Sequence, residues 1–431
     1  MKLFIEPQQQ EWDNILKRPT IDLSSIQNVV TTIVEDVKTN GDLAIKKYTQ
    51  QFDGVLIDEL AVTQQEMDIA CAQIDEELKT AIAVAKENIW KFHSTQKESI
   101  IKIETSTGVL CWRESIAIEK VGLYIPGGIA PLFSTLLMLG IPALIAGCKE
   151  IIVCTPPDKL GNIHPAILYV ANILGIKKIF KLGGVQAIAA MAFGTKSIPK
   201  VHKIFGPGNQ YVTVAKQLIN SKGVAIDMPA GPSEVAIYAD DTCVPKFVAA
   251  DLLSQAEHGV DSQVVLVART NQIVEEIKDC LQEQIKLLPR KDIAQQALQN
   301  SLAIVIIDAN KAFDLLNEYA PEHLIISSDA AEQLAEKIVN AGSVFLGNYS
   351  PESAGDYASG TNHTLPTNGF ANAYSGVSLD SFYKKITFQK INKTGLKNIG
   401  KTVEVMAEHE GLQAHKNAIS IRLQEIDNNE I

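Results

Sequence analysis

Apolar residues recur at helical spacing near the start of the chain. In residues 32–52 and 64–98, apolar positions lie three and four residues apart, and charged residues fill positions between them. This spacing places the apolar side chains on one face of a helix, so it predicts amphipathic helices in both segments. One face of each helix should be buried and the other exposed to water.

From about residue 117 the pattern changes, and short runs of β-branched residues alternate with helix-like segments. The first block of such runs extends from IIVCT (151–155) to GVAID (223–227). A second block extends from VAIYAD (235–240) to SVFLG (343–347), and it includes HLIIS at 323–327. Alternation of strands and helices is typical of βαβ units. The sequence therefore predicts an α/β fold with mainly parallel sheets.

Two segments depart from this alternation. Residues 129–147 are apolar and nearly long enough to span a bilayer. Because Pro131, Gly140 and Pro142 interrupt them, we expect a buried helix, a break and a second short buried segment. Residues 348–369 are rich in Gly, Ser, Asn and Pro. Loops of this length inside a domain are usually functional or disordered, and the polar and aromatic residues here favour function.

The composition excludes several classes of partner. Charged residues make up 21% of the chain and hydrophobic residues 46%, which is ordinary for a globular protein. A length of 431 residues is enough for two or more domains. The formal net charge of -11 argues against nucleic acid or an anionic membrane, because binding there depends on clusters of Lys and Arg. The six cysteines form no CxxC motif, and the N-terminal segment shows no signal peptide. We therefore expect a protein of a reducing compartment, the cytoplasm, that binds neither nucleic acid nor membrane.

A polar face lies on the predicted helix of residues 244–259. Asp251, Gln255 and His258 fall at positions i, i+4 and i+7, so their side chains share one side of that helix. Such a face is often simply solvated. The alternative is part of a metal site that takes further ligands from elsewhere in the chain.

Further candidate ligands are more isolated. Asp356 stands among small residues in ESAGDYASG, where it fits either an Asx-turn or a close approach to a ligand. Near the C-terminus, Glu410 and His415 are five residues apart, a spacing that does not stack two ligands on one helix face. Taken alone, both are typical of a solvated surface.

Glu322 and His323 are adjacent ionisable residues at the start of a predicted strand. Consecutive strand residues point to opposite faces, so the two can share a site only where the chain enters or leaves the sheet. In open α/β sheets, ligand sites usually lie at the carboxyl ends of strands, whereas this pair precedes its strand. The residues are either a solvated loop end or a pair of proton-transfer groups.

Three glycine-rich turns each follow a predicted strand and open a predicted helix. They are YIPGGIAPL (124–132), LGGVQAIAA (182–190) and GPGNQYV (206–212). Backbone N–H groups at such turns can bind phosphate, although none of the three spells GxGxxG. Because they occupy corresponding points of one βαβ block, together they predict a nucleotide cleft.

The longer motifs together resemble those of the histidinol dehydrogenases. The resemblance extends from the N-terminal helices to about residue 424. It rests on these segments: VGLYIPGGIAPLFSTLLMLGIPALIAGCKEI, IFGPGNQYVTVAKQL, IDMPAGPSEV, ADLLSQAEHG, YAPEHL, ESAGDYASGTNHTLPT, YSGVSLDSF and EGLQAHKNA.

The resemblance implies an enzyme that oxidises L-histidinol to L-histidine through L-histidinal, the last steps of histidine biosynthesis. It also implies two NAD⁺ molecules per reaction and one zinc ion per site. The implied metal ligands are Gln255, His258, Asp356 and His415. The resemblance also implies a homodimer, in which His415 is expected to complete the site of the partner subunit.

The resemblance also assigns the remaining site residues. Glu322 and His323 are the implied acid–base residues, and Tyr124, Gln186 and Asn209 are expected to line the NAD⁺ cleft. The implied substrate-binding residues are Ser233, Gln255, His258, His323, Asp356, Glu410 and His415. Asn368 stands where the family pattern has Gly, and this departure puts only the local loop shape in doubt.

The fold implied is two incomplete Rossmann-like α/β domains with small N- and C-terminal helical extensions. The first domain is expected to be discontinuous, comprising residues 22–123 and 235–377, and to carry the metal and acid–base residues. Residues 124–234 would form the second domain and the NAD⁺ cleft. Residues 1–21 and 378–431 are the expected extensions, the latter reaching the partner subunit.

Two other functions are compatible with single features of the sequence. A zinc hydrolase could use Glu322 to activate water, although the three glycine-rich turns argue against it. A non-catalytic binding protein on the same fold would need a lost ligand or base, whereas every matched position is filled.

Overall fold

The computed structural model describes residues 1–19, 23–127, 131–229 and 231–428. These residues form two compact units, Met1–Gln96 with Ile118–Phe382 and Lys97–Ala117 with Tyr383–Ile431.

The strands and helices follow one another along the whole chain. The strands are β1 (Lys2–Ile5), β2 (Lys102–Ser106), β3 (Val109–Ala117), β4 (Lys120–Tyr124), β5 (Glu150–Thr155), β6 (Lys178–Lys181), β7 (Lys203–Phe205), β8 (Ala225–Ile226), β9 (Glu234–Ala239), β10 (Gln263–Ala268), β11 (Leu302–Val305), β12 (His323–Ser327), β13 (Ser343–Leu346) and β14 (Tyr383–Ile391). The helices are α1 (Gln9–Ile15), α2 (Leu23–Asn40), α3 (Asp42–Phe52), α4 (Gln64–Gln73), α5 (Glu76–Ser94), α6 (Phe133–Ala146), α7 (Pro165–Ile173), α8 (Gly184–Phe193), α9 (Gln210–Ser221), α10 (Pro245–Ala256), α11 (Asn271–Gln284), α12 (Lys291–Gln299), α13 (Ala309–Tyr319), α14 (Ala331–Ala335), α15 (Glu352–Tyr357), α16 (Lys393–His409) and α17 (Gln413–Asn428).

A six-stranded parallel sheet lies in the first unit, with strand order β1-β11-β10-β9-β12-β13. Its strands β9, β10 and β12 are buried throughout and mostly apolar, because both faces of the sheet are covered. On one face, Val235 and Ile237 of β9 pack with α10, α11 and α12. On the other, Ala236 and Tyr238 pack with α1 and α13. The sheet therefore forms the middle layer of an α/β/α sandwich.

A five-stranded parallel sheet, with strand order β6-β5-β4-β7-β8, also belongs to the first unit. Helices α2, α3, α8 and α9 share one apolar core with its strands. Helices α4 and α5 pack against α7 and α6 respectively. All the helices of residues 23–94 therefore associate with this sheet, whereas the sequence-based boundaries group residues 22–123 with residues 235–377. Those boundaries stay a prediction.

The second unit contains an antiparallel sheet that the sequence analysis did not predict. Strand β3 pairs with β2 on one side and with β14 on the other. Helices α16 and α17 pack against each other in the same unit. These strands were missed because their exposed residues are mixed with charged ones, which weakens the strand pattern.

The predicted α/β fold with mainly parallel sheets is confirmed. The N-terminal helices are also confirmed, although each predicted segment is divided. Gly41, at φ 54°, separates α2 from α3, a backbone conformation that favours glycine. The predicted break within residues 129–147 is wrong, because α6 continues from Phe133 through Pro142 to Ala146, with most of its side chains buried. Residues 129 and 130 of that segment lie outside the described residues.

Two further features differ from the predictions. The N-terminal segment is not only helical, since β1 adds a strand to the edge of the six-stranded sheet beside β11. The long polar loop contains a short helix, α15. Of the helices in the described residues, none combines the length and the apolar character needed to cross a membrane.

A buried ion pair fixes the third glycine-rich turn. Lys216 of α9 pairs with Asp227, and Lys216 Nζ donates to the carbonyl of Gly206 at 2.9 Å. Asp227 accepts from the N–H of Gly206 at 2.8 Å and from the N–H of Met228 at 2.8 Å. The backbone of Gly206 is pressed against the carbonyl of Tyr124, where a Cβ atom would collide. The pair thereby holds the turn that precedes α9.

We expect Asp227→Asn to lower the free energy of unfolding by about 3–5 kcal/mol, because it leaves the Lys216 ammonium buried without its counter-charge. Urea denaturation measures this change. The matched control is Asp241→Asn, which breaks an exposed pair with Arg269 and should have little effect. Equally small changes in the two variants would contradict the role given to the buried pair.

Candidate functional site

Glu322 and His323 lie at the amino end of the six-stranded sheet. His323 is the first residue of β12, and it stands opposite Val235 of β9 and Ser343 of β13. The chain leaves α13 through Ala320, whose φ of 48° is unusual for a residue with a side chain. Local strain thus accompanies the turn that delivers the pair to the sheet.

Both side chains reach the same residue of the neighbouring strand. The N–H of Glu234 donates to Glu322 Oε2 at 3.0 Å, and His323 Nδ1 lies 3.4 Å from the Glu234 carbonyl oxygen. His323 Nδ1 is 3.8 Å from Glu322 Oε2. Because Glu322 precedes the strand, its side chain does not have to point to the face opposite that of His323. This explains how two adjacent residues share one site at the strand's entrance.

Two further carboxyl groups flank the imidazole of His323. Glu352 and Asp356 are four residues apart on α15, so they lie on the same side of that helix. His323 Nδ1 is 3.6 Å from Glu352 Oε1, and His323 Nε2 is 3.5 Å from Asp356 Oδ1. One ligand atom from each of these three residues lies within 4.8 Å of the others.

The ionisation of this cluster is strongly coupled. Burial alone lowers the pKa of His323, but Glu352, Glu322 and Asp356 outweigh it and raise the pKa to about 10. Burial raises the pKa values of Glu322 and Glu352 to about 8 each. Burial also opposes ionisation of Asp356, but the neighbouring histidines keep the pKa of that carboxyl below its ordinary value.

Gln255 and His258 approach the same cluster from α10. Helix α10 ends at Ala256, so His258 lies just beyond it and not on the predicted helix face. With its amide nitrogen turned toward Glu352, Gln255 donates to Glu352 Oε1 at 2.6 Å and accepts from the N–H of Glu234 at 2.7 Å. Partial enclosure lowers the pKa of the exposed His258 ring, while Asp356 opposes that shift.

The cluster has the chemistry of a cation site. His323 Nε2 and Glu352 Oε2 are buried and have no hydrogen-bond partner among the described residues. Imidazole nitrogens and carboxyl and amide oxygens, brought together by three segments of the chain, form a mixed N/O donor set that suits zinc, and also manganese or cobalt. Of the predicted ligands, Asp356 belongs to the cluster, Gln255 contacts Glu352, and His258 lies near enough for Asp356 to affect its pKa. These donor atoms fit a divalent metal.

Arg18 supports the cluster through its contacts with Glu234. Its guanidinium donates to both carboxylate oxygens of Glu234, at 2.6 and 3.1 Å, and to the carbonyl oxygen of Tyr319 at 2.5 Å. The Tyr319 hydroxyl donates to Glu234 Oε2 at 3.0 Å. Ser233, the residue before Glu234, lines a small cavity beside Arg18. The N-terminal segment therefore fixes the strand end that Glu322 and His323 contact.

Sequence reasoning missed Glu352, Glu234, Arg18 and the role of His363. The spacing of Glu352 four residues before Asp356 was the one available signal, and it was hidden because the segment was predicted to be a loop. His363 donates from Nδ1 to the Asp356 carbonyl at 2.9 Å, and its Nε2 lies 3.0 Å from Thr135 Oγ1. His363 thereby holds the backbone that carries Asp356.

Tyr124, Gln186 and Asn209 line one cavity of about 740 Å³ beside the five-stranded sheet. The Tyr124 hydroxyl accepts from the N–H of Gly184 at 3.1 Å, and Asn209 Oδ1 accepts from the N–H of Val212 at 3.1 Å. Both contacts lie at helix starts, α8 and α9. Because the helix dipole favours anions at these helix starts, the cavity suits a diphosphate.

The remaining predicted residues belong to the second unit or to loops. Glu410 follows α16 and His415 lies in the first turn of α17, and both are exposed. Asn368 adopts φ 56°, a left-handed conformation that Asn tolerates better than most residues. Asn368 therefore replaces the glycine of the family pattern without a change of loop conformation being required.

Proton-transfer groups in an α/β protein, together with a cleft that suits a diphosphate, are typical of the dinucleotide-dependent oxidoreductases. The family model for histidinol dehydrogenase matches residues 16–423 of this chain. The histidinol dehydrogenase of Bacteroides thetaiotaomicron is 57% identical over 423 residues, which cover 98% of this chain and 99% of the relative. That of Aliivibrio fischeri is 50% identical over 417 residues, which cover 96% and 94% respectively.

A solved structure agrees with these relatives. The crystal structure of histidinol dehydrogenase from Elizabethkingia anophelis has a TM-score of 0.97 and 57% sequence identity, and the match covers 99% of each chain. The chain therefore belongs to the histidinol dehydrogenase family, as the motifs indicated. It is an NAD-dependent dehydrogenase of histidine biosynthesis.

The carboxyl of Glu352 should control the ionisation of His323. In the metal-free protein, we expect Glu352→Gln to lower the pKa of His323, with roughly a tenfold or greater loss of proton affinity, because a buried negative charge 3.6 Å away is removed. NMR titration of the imidazole measures this. Asp251→Asn is the control, since it changes a carboxyl outside the His323 contacts. An unchanged pKa of His323 in Glu352→Gln would contradict the assignment.

Proposed function

We propose that this chain is a zinc-dependent dehydrogenase that oxidises L-histidinol to L-histidine through L-histidinal, using two NAD⁺. The observation that carries the proposal is the buried imidazole of His323 among Glu322, Glu352 and Asp356. Alcohol oxidation and oxidation of a hydrated aldehyde both require protons to be removed, and this cluster contains two groups fitted to do so.

His323 is proposed to accept the proton of the substrate hydroxyl. Its pKa is raised in the free protein because three carboxyl groups surround it. A positive charge bound among those carboxyls offsets them and favours the neutral ring. Neutral imidazole accepts a proton near pH 7, and Nε2 is free of hydrogen-bond partners within the described residues.

Glu322 is proposed to activate the water that hydrates the aldehyde. Its carboxyl is buried and is held by the N–H of Glu234 at 3.0 Å, which leaves the other oxygen available. Burial raises its pKa to about 8, so the ionised group is a stronger base than an exposed carboxylate. The different settings of the two adjacent groups support separate roles in the two oxidations.

The proposed metal ligands are Gln255, His258 and Asp356, completed by His415 from a second copy of the chain. When bound, zinc would fix the amine and imidazole nitrogens of the substrate. The exposure of His415 supports a contribution to another subunit, since an exposed side chain can reach outside its own chain. The enzyme is accordingly proposed to be a homodimer.

The cofactor is proposed to bind along the cleft of Tyr124, Gln186 and Asn209, and hydride transfer then belongs to its nicotinamide. Ser233 and Glu410 are proposed to join the metal ligands and His323 in binding substrate. We also propose that the two parallel sheets mark the two α/β domains, and that the enzyme is cytoplasmic and binds neither nucleic acid nor membrane, consistent with its net charge of -11.

The yield of NADH per molecule of histidinol tests this function. Purified enzyme with zinc and limiting histidinol should produce two NADH for each histidine. Glu322→Gln should spare the first oxidation more than the second. Early in the reaction, the ratio of NADH to histidine should therefore be greater than two. His323→Asn should slow both steps. A yield of one NADH in the wild type, or equal loss of both oxidations in Glu322→Gln, would contradict the proposed roles.

A further inference from the structure

Asp53 lies in the wall of the proposed cofactor cleft, and no role has been assigned to it. It caps the C-terminus of α3, where its N–H donates to the carbonyl of Thr49 at 2.9 Å. Its side chain lines the same cavity of about 740 Å³ as Tyr124, Gln186 and Asn209. The residue is thus positioned by a helix end and turned toward the ligand space.

The carboxyl of Asp53 has one oxygen without a hydrogen-bond partner among the described residues. Its Oδ2 is buried and receives no hydrogen bond from the described residues. Burial raises the pKa of Asp53 to about 6, so the group is mainly ionised at neutral pH. Gln186 Oε1, in the same cavity, is likewise a buried acceptor without a described donor. Unpaired buried acceptors are costly, so the occupant of the cleft is expected to bring donors to them.

The charge of Asp53 restricts which part of a dinucleotide it can meet. The diphosphate is attracted to the helix starts at Gly184 and Asn209 and repelled by a carboxylate. The carboxylate must therefore face an uncharged donor, such as a hydroxyl or an amine. A ribose presents two adjacent hydroxyl groups and fits this requirement.

The surroundings of Asp53 favour the adenosine half of the cofactor. Val29, Ile33 and Phe52 line the cleft next to it, and they form an apolar wall. Such a wall suits the uncharged adenine ring but offers no side-chain partner to a nicotinamide carboxamide. With the adenine against this wall, the ribose attached to it would lie beside the Asp53 carboxyl.

We propose that Asp53 accepts a hydrogen bond from the 2′-hydroxyl of the adenosine ribose and disfavours dinucleotides that carry a 2′-phosphate at that position. Asp53 would then determine the preference for NAD⁺ over NADP⁺. This inference rests on the proposed binding of NAD⁺ in the cleft, and it adds a specificity-determining residue outside the family motifs matched above.

Two substitutions separate the charge of Asp53 from its hydrogen bond. Asp53→Asn keeps the size and an acceptor but removes the charge, and Asp53→Ala removes both. Because a hydrogen bond to a charged group is lost, Asp53→Ala should raise the KM for NAD⁺ roughly 10- to 100-fold, with a smaller change in kcat. Both variants should narrow the ratio of kcat/KM for NAD⁺ over NADP⁺. Asp58→Asn, an exposed carboxyl five residues later, is the matched control and should change neither quantity.

A cofactor analogue tests the contact directly. The dinucleotide that lacks the 2′-hydroxyl of the adenosine ribose should be used by the wild type about as poorly as NAD⁺ is used by Asp53→Ala. Asp53→Ala should not distinguish the analogue from NAD⁺. If Asp53→Ala still discriminates between them as the wild type does, the contact is absent and the inference is overturned.

The thermal midpoint and the wild-type activity distinguish cofactor binding by Asp53 from a structural role. A merely structural role would lower the thermal midpoint of Asp53→Asn, whereas removal of an unpaired buried charge should leave the midpoint unchanged or raise it. If the wild type itself fails to reduce NAD⁺ with histidinol, the proposed function fails. If the wild type is active and both variants keep the KM for NAD⁺ within about twofold, only the role of Asp53 is overturned.

Discussion

The buried imidazole of His323, enclosed by three carboxyl groups at the amino end of a parallel sheet, is the constraint on which the rest of the site depends. Burial disfavours every charge in this cluster, and the shared ionisation of His323, Glu322, Glu352 and Asp356 limits that cost. A cation that binds there compensates the remaining negative charge. The proposed affinity for a metal therefore rests on the same groups that share this ionisation.

The supporting contacts show how the chain keeps this cluster in place. Arg18 neutralises Glu234, and the backbone of Glu234 in turn holds Glu322 and Gln255. His363 holds the backbone of Asp356. These residues come from segments distant in sequence, so the site forms only when the first unit is folded. On the other sheet, the Lys216–Asp227 pair has a similar role for the turn that opens the proposed cofactor cleft.

Much of the fold could be predicted from the sequence, because parallel strands buried on both faces leave continuous apolar runs such as those of β9, β10 and β12. The antiparallel strands β2, β3 and β14 could not, since their exposed faces carry charged residues. The family motifs, and not local spacing, grouped Glu322, His323, Gln255 and Asp356 in one predicted site, and the structure brings these four residues near one another. Glu352 was missed because its spacing from Asp356 has meaning only on a helix, and Arg18 because its partner is 216 residues away.

The acid–base pair lies at the amino end of the six-stranded sheet, the position that the sequence analysis found unusual. Sites in open α/β sheets usually lie at the carboxyl ends of strands, and the acid–base pair precedes its strand. Glu322 and His323 are nevertheless brought together because both contact Glu234 at the start of the adjacent parallel strand. The proposed cofactor cleft keeps the usual arrangement, with Tyr124 at the carboxyl end of β4.

We propose that a metal binds beside this imidazole and that a second copy of the chain completes its set of ligands. A crystal structure of the zinc-loaded enzyme, with anomalous data at the zinc edge, tests it most directly. The account predicts one peak per site, about 2.0–2.2 Å from Asp356 and His258, with Gln255 and a second copy's His415 as the other ligands. A peak away from Asp356, or a complete ligand set from one chain, would contradict it.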